Sequence, residues 1–233
     1  MKKTAAVFIV PLFFAAGIAP LFAQQKQQET SVEQSYLDES IELRIIRRVA
    51  ESESRESKLQ ALDFIHDYLG AGNSDTAIVG ILTSLSRQGT MNKERLLGSP
   101  IGNDYPDVRW RATEYLGLLP KGVVEDSLRY ILLNEEEPEV AVAAVNSLAK
   151  VGSYDTDTVI AIEKSFRKFD AGRPSERLAI AVLDYYEAAP SPKPRYMADT
   201  IDYVRSSPNY DYRIRAKADK LLKELIKSFY KGD

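Results

Sequence analysis

The chain has no cysteine and a single histidine among its 233 residues. The first absence excludes a disulfide framework, a thiol nucleophile, a Cys-type zinc site and an N-terminally lipidated cysteine. The second leaves His-rich zinc sites, Cys-His pairs and the usual metalloprotease motif without their ligands. A Ser-His-Asp triad would have to recruit His66, and no Gly-x-Ser-x-Gly turn stands ready to hold its nucleophile. Glycine patterns that cradle phosphates are missing as well, so nucleotide chemistry has no foothold. A basic excess is also lacking: the formal charge is -3, whereas generic nucleic-acid binding wants a basic stripe.

After residue 23 no apolar run of membrane-spanning length recurs. The first 23 residues are different. Met1-Lys2-Lys3 precedes an apolar run from Ala5 to Ala23, and Gln24-Gln25-Lys26-Gln27-Gln28 follows it, which is the pattern of a bacterial-style secretory signal. Cleavage is expected after Ala23, although Leu21 departs from the small-x-small rule at such sites. An uncleaved anchor is the competing reading; Pro11, Gly17 and Pro20 interrupt the run and argue against it. Residues 1–23 are thus read as a signal peptide and 24–34 as a polar disordered linker, in a protein that is periplasmic or secreted. Once the signal leaves, the charge becomes about -5 and no membrane insertion is expected. The remaining chain, long enough for a sizeable core, is 35–233.

That remainder repeats itself. "YPDVRWRATEYLGLLP", starting at residue 105, is matched 32 residues later by "EPEVAVAAVNSLAKVG". Pro106, Val108, Ala112, Leu116 and Leu119 align with Pro138, Val140, Ala144, Leu148 and Val151. A further 38 residues on, "SERLAIAVLDYYEAAP" places Leu178, Val182, Tyr186 and Ala189 in the same positions. The last copy, 36 residues later, carries Ile214, Arg215, Ala218 and Leu222. Matched positions fall on one stripe of a helix, and recurrence at this spacing is the mark of a repeat array.

Between the copies lie second helical stretches, "KGVVEDSLRYILLN", "SYDTDTVIAIEKSFRKF" and "PRYMADTIDYVRSS", the middle one capped by Asp155 or Thr156. The unit is helix, turn, helix. Residues 35–51 read as an N-terminal cap helix, followed by repeats at about 55–89, 104–135, 136–173, 174–207 and 208–233. Residues 90–104 are rich in turn formers and form the longest loop between repeats.

At these residues the chain resembles the HEAT-repeat family. The first helix of such a repeat typically carries an Asp-x-x-Val-Arg-x-x-Ala-x-x-x-Leu-Gly-like pattern, met here by Asp104, Asp107, Val108, Arg109, Ala112, Leu116 and Gly117. Ala141 and Ala179 replace the arginine in the next two copies, and Arg215 restores it in the last. The resemblance spans roughly residues 55 to 233, is of the short bacterial type, and implies an all-α, right-handed α-α superhelix of four to five helix pairs. It also implies that Arg109 and Arg215 bond acidic or backbone groups between units rather than a ligand. A tetratricopeptide array is the structural rival, with a period of about 34 residues, but its signature residues are missing.

The candidate chemistry is sparse. His66 falls on or beside the buried stripe, where a packing or hydrogen-bonded role is expected. Asp155 and Asp157 have calcium-like spacing but lack the third ligand, the turn glycine and the closing Glu; helix capping accounts for them. Glu135-Glu136-Glu137 reads as a solvated run before a helix N-terminus. Tyrosines gather toward the C-terminus, at 185, 186, 196, 203, 210 and 212, and Tyr suits both interfaces and sugar stacking. Tyr186 is expected to fill a gap between helices, whereas Tyr196 and Tyr203, near Arg195 and Arg205, are expected on an exposed face.

No catalytic, cofactor or metal residues are assigned, and no cofactor is expected. The expectation is a non-enzymatic protein-binding scaffold or adaptor of the bacterial periplasm or envelope, with a protein partner met by Asp126, Arg129, Tyr130, Arg167, Arg195, Tyr196, Tyr203 and Arg205. A module binding cell-wall glycan or peptide through a Tyr-lined surface is the alternative.

Overall fold

Ser40, Ser54, Asp75, Asp155 and Ser175 each begin a helix, because each side-chain oxygen accepts a backbone N–H of the first turn at 3.0–3.4 Å. Two further helices start on Pro106 and Pro138, where the missing N–H costs nothing and the fixed φ suits the first turn. The computed structural model describes residues 40–90, 103–190 and 197–230, with side chains to Lys227. The signal at 1–23, the linker at 24–34, the start of the cap helix at 35–39 and most of the loop at 90–104 lie outside these residues.

Ten helices occur among the described residues, and no β-strand. They are α1 (Ile41–Ala50), α2 (Arg55–Gly70), α3 (Thr76–Ser86), α4 (Pro106–Leu116), α5 (Lys121–Asn134), α6 (Pro138–Lys150), α7 (Thr156–Gly172), α8 (Glu176–Ala188), α9 (Met197–Ser206) and α10 (Tyr212–Tyr230). The fold is all-α. Two of the first helices end identically. After α2 and α6, Gly72 at φ 84° and Gly152 at φ 71° occupy the left-handed region, and the next residue reaches back: Asn73 N–H to Tyr68 O at 3.3 Å and Ser153 N–H to Leu148 O at 3.0 Å. This is the Schellman stop, which only a residue without a Cβ adopts cheaply.

Helix pairs that pack extensively are one or two steps apart in the chain. One series runs α2, α4, α6, α8, α10, each packed on the next; α1, α3, α5 and α7 form a second, and consecutive helices join the two. The stripes supply the contact: Val108, Ala112 and Leu116 of α4, Val140, Ala144 and Leu148 of α6, and Leu178, Val182 and Tyr186 of α8 are all buried. Burial of one such Leu or Val side chain contributes about 1.5–3 kcal/mol. Helix α6 sits among α4, α5, α7 and α8, which is why its sequence is apolar nearly all round and why Ala141 and Ala143 are as buried as the stripe itself.

Candidate functional site

Asp126, Arg129 and Tyr130 occur together on one side of α5, as the 3.6-residue period requires. Across from them α7 presents Asp157, Ile160, Ala161 and Lys164, and with Leu133 these residues line a groove of about 360 Å³. Its floor is apolar. Leu133 and Ile160 stand 47% and 39% exposed, off the buried stripes of their helices. Its walls are charged but spoken for at one end: Arg129 bonds Asp126 at 2.6 Å, Asp155 at 3.2 Å and Thr158 Oγ1 at 3.0 Å. Arg87, which caps the end of α3, lies over the Tyr130 ring, 4.3 Å from its centroid, a cation–π contact that holds the ring at the groove edge. Lys164, at the other end, has no ion pair among the described residues. The sequence reading named Asp126, Arg129 and Tyr130 and did not name Leu133, Asp157, Ile160 or Lys164, which line the same groove. An apolar residue out of register with the stripe, as Ile160 is beside Val159 and Ile162, was the available signal.

The network behind this groove caps α7. Asp155 accepts from Thr158 N–H at 3.0 Å and Thr158 Oγ1–H at 2.8 Å, and from Ser153 Oγ–H at 3.0 Å. Burial works against ionisation there, but the Thr158 and Ser153 hydrogen bonds and the Arg129 charge outweigh it and hold the carboxyl at about 2. A depressed carboxylate stabilises the fold above its unfolded value and ceases to do so as pH falls through its folded one. Asp155→Ala is therefore expected to cost about 0.5–2 kcal/mol at neutral pH. Asp155→Asn keeps the cap but should lose less stability than wild type on acidification from about pH 4 to pH 2, measured by urea unfolding monitored by circular dichroism. Asp155 thus serves as a cap.

The described C-terminal tyrosines divide between interior and surface, with Tyr212 78% exposed. Tyr185, Tyr186 and Tyr210 are buried, and Tyr185 donates its hydroxyl to Ser153 O at 2.5 Å. Tyr203, expected on an exposed face, is half-buried: Phe166 meets its ring edge-on at 6.2 Å and Arg167 lies over it at 4.3 Å. Its hydroxyl and that of Tyr210 both donate to the buried carboxylate of Asp170. The bond to Asp170 raises the Tyr203 phenol pKa; burial first, and then the same carboxylate, push Tyr210 much further up. These groups tie α9 and the turn after it to α7. Arg205 is exposed and bonds Asp202 at 2.5 and 2.9 Å. Arg195 and Tyr196 lie outside the described residues.

Arg109 is 2% exposed and Glu135 1%. The guanidinium grips the carboxylate at both ends, Nε to Oε2 at 2.9 Å and Nη2 to Oε1 at 3.1 Å, and Nη1 reaches Gln88 O at 3.2 Å and Asp104. Burial alone would lower the Arg109 pKa; Glu135 and Asp104 outweigh it and raise it. Glu135 also accepts the N–H groups of Glu136 and Glu137 at 2.9 and 3.0 Å, and its carbonyl accepts from Lys168. This corrects the expectation of a solvated acidic run. Glu136 remains exposed, but Glu135 is drawn inside because Arg109 needs a buried counter-charge. His66 likewise lies off the buried stripe: it is exposed and stacks on Tyr115 with centroids 5.7 Å apart. Arg215 is half-buried, with its Nε unbonded.

Among the described residues no three His, Asp or Glu side chains converge where a metal could be held, and no helix is long and apolar enough to cross a membrane. Compared with protein-family models, curated proteins and solved structures, the chain matches none.

Proposed function

We propose that the chain is a non-enzymatic scaffold of HEAT-like type that binds a protein partner in the bacterial periplasm or envelope. The observation that carries this reading is the α5–α7 groove, where apolar side chains stand in solvent between charged walls on neighbouring second helices of the repeat. Leu133 and Ile160 could have faced the core; placed outside, they offer anchors for an apolar side chain of a partner, and Lys164 offers an uncommitted charge for an acidic one. Such a preformed wall loses little conformational entropy on binding.

The order of helix contacts, with all extensive ones falling one or two steps apart in the chain, supports a superhelical solenoid. The HEAT-like assignment draws on the same residues that suggested it. Arg109 bonds Asp104 and Glu135 within its own unit, and of its contacts the one to Gln88 O reaches the preceding unit. Residues 1–23 would deliver the chain to the envelope.

Affinity capture from an envelope extract tests the reading. Wild type is expected to retain one protein stoichiometrically. Ile160→Asp and Leu133→Asp, both at exposed positions, are expected to reduce that retention at least about tenfold without changing the helical circular dichroism. Equal retention by both variants, or no stoichiometric protein at all, would overturn it. Sedimentation of the chain with purified cell wall would favour the glycan module instead, a reading weakened by the burial of Tyr185, Tyr186 and Tyr210.

A further inference from the structure

Ile41, Ile45 and Phe64 are 69%, 53% and 37% exposed. With Glu42, Ile46 and Asp67 they line a groove of about 500 Å³ between α1 and α2, several helices away from the α5–α7 groove. Helix α1 is the first helix of the described residues, and its exposed face mixes large apolar side chains with charged ones. Helix α1 buries Leu43, Ile46 and Ala50. At 100° per residue the face opposite them carries Ile41, Arg44, Ile45 and Arg48. Crossing this surface therefore passes an acidic flank of Glu42 and Asp67, then an apolar stripe, then a basic flank of Arg44. No ion pair satisfies Glu42, Arg44, Arg48 or Asp67 among the described residues. Elsewhere Arg111, Arg129, Arg177, Arg205 and Lys217 all have acidic partners.

We propose that this α1–α2 face is a self-association surface that seats α1 of a second copy of the chain, about a two-fold axis running along the helix. The charge order selects that axis. A two-fold along α1 exchanges the sides, setting the acidic flank of each copy against the basic flank of the other and the apolar stripes against each other. A two-fold perpendicular to the helix within the interface would set acid on acid. The contact is isologous, so it closes at two copies, and its centre holds the apolar anchors that dominate interface energies. An anionic membrane suits the arginines but not the Glu42 and Asp67 rim, which a membrane would repel.

Sedimentation equilibrium of the whole chain as purified from cells tests this. Wild type is expected to dimerise. Ile45→Glu is expected to raise the dissociation constant at least about 30-fold, and Arg44→Glu or Asp67→Arg about tenfold each. Combining Arg44→Glu with Asp67→Arg restores an opposite-charge pair between positions 44 and 67 of the two copies, although Glu42 stays acidic, so association should be at least about threefold stronger than in either single variant. Circular dichroism is expected to be unchanged throughout, since all three positions are exposed. The proposal is overturned by a wild type that stays monomeric at about 100 µM, by a dimer indifferent to Ile45→Glu, by a double variant weaker than either single one, or by an Ile45-dependent affinity for anionic vesicles in place of self-association.

Discussion

Glu135→Ala is expected to lower the free energy of unfolding by about 3–5 kcal/mol, because it strands a buried guanidinium. Arg109 is enclosed by its partners. Without Glu135 it keeps the carbonyl of Gln88 and the half-exposed carboxylate of Asp104, which leave Nε and Nη2 unmet. The loss extends to the backbone, since the N–H groups of Glu136 and Glu137 donate to the same carboxylate. Arg109→Leu should cost a comparable amount by leaving the carboxylate unpaired. The double variant Arg109→Leu with Glu135→Leu should cost clearly less than the two combined, because neither charge is then stranded. Asp104→Ala, at a site open to water, should cost no more than about 1 kcal/mol. Urea unfolding monitored by circular dichroism reads all four. A loss below about 1 kcal/mol for Glu135→Ala would remove the pair from the forces that hold α4 against the turn before α6.

Gly117→Ala is expected to destabilise by about 1–3 kcal/mol although nothing in the glycine's own backbone forbids it. Its φ of -69° is ordinary for any residue. A Cβ there would meet Ser147 Oγ at 2.5 Å, its Cβ at 2.7 Å and its Cα at 2.9 Å. Helix preference alone favours Ala by up to about 1 kcal/mol, so the sign of the result separates the two effects. The steric term dominates because the last of those atoms is backbone, and because Ser147 is fixed by its own hydrogen bond to Thr113 O at 2.9 Å. Ser147→Ala in the same chain should recover only part of the loss, since Cβ and Cα remain. For a chain of this size 1 kcal/mol corresponds to about 2–4 °C in Tm, so a thermal scan resolves the effect. An unchanged or raised Tm would mean that α4 and α6 can part without penalty.

Periodicity made the first helices legible. Val108, Ala112 and Leu116 recur as Val140, Ala144 and Leu148 because each set must cover the same neighbouring surface, and all six are buried. Asp155 was readable for a similar reason, as an N-cap is satisfied within four residues. Glu135 was not. Three consecutive glutamates look alike in one dimension, and what separates them is an arginine 26 residues earlier that arrives only when α4 packs against the turn before α6. Tyr203 shows the same limit: its place on α9 followed from the pattern, but Asp170, 33 residues away, claims its hydroxyl.

The helical class, the helix-turn-helix unit and the buried stripes were determined by local order in the amino acids, since caps, stops and amphipathic spacing act over a turn or two. Which charges go inside, which tyrosines keep a free face and which isoleucines remain in water were decided by tertiary structure alone. Those outcomes depend on what another helix brings to within a few ångströms, and that distance is not a property of any single segment.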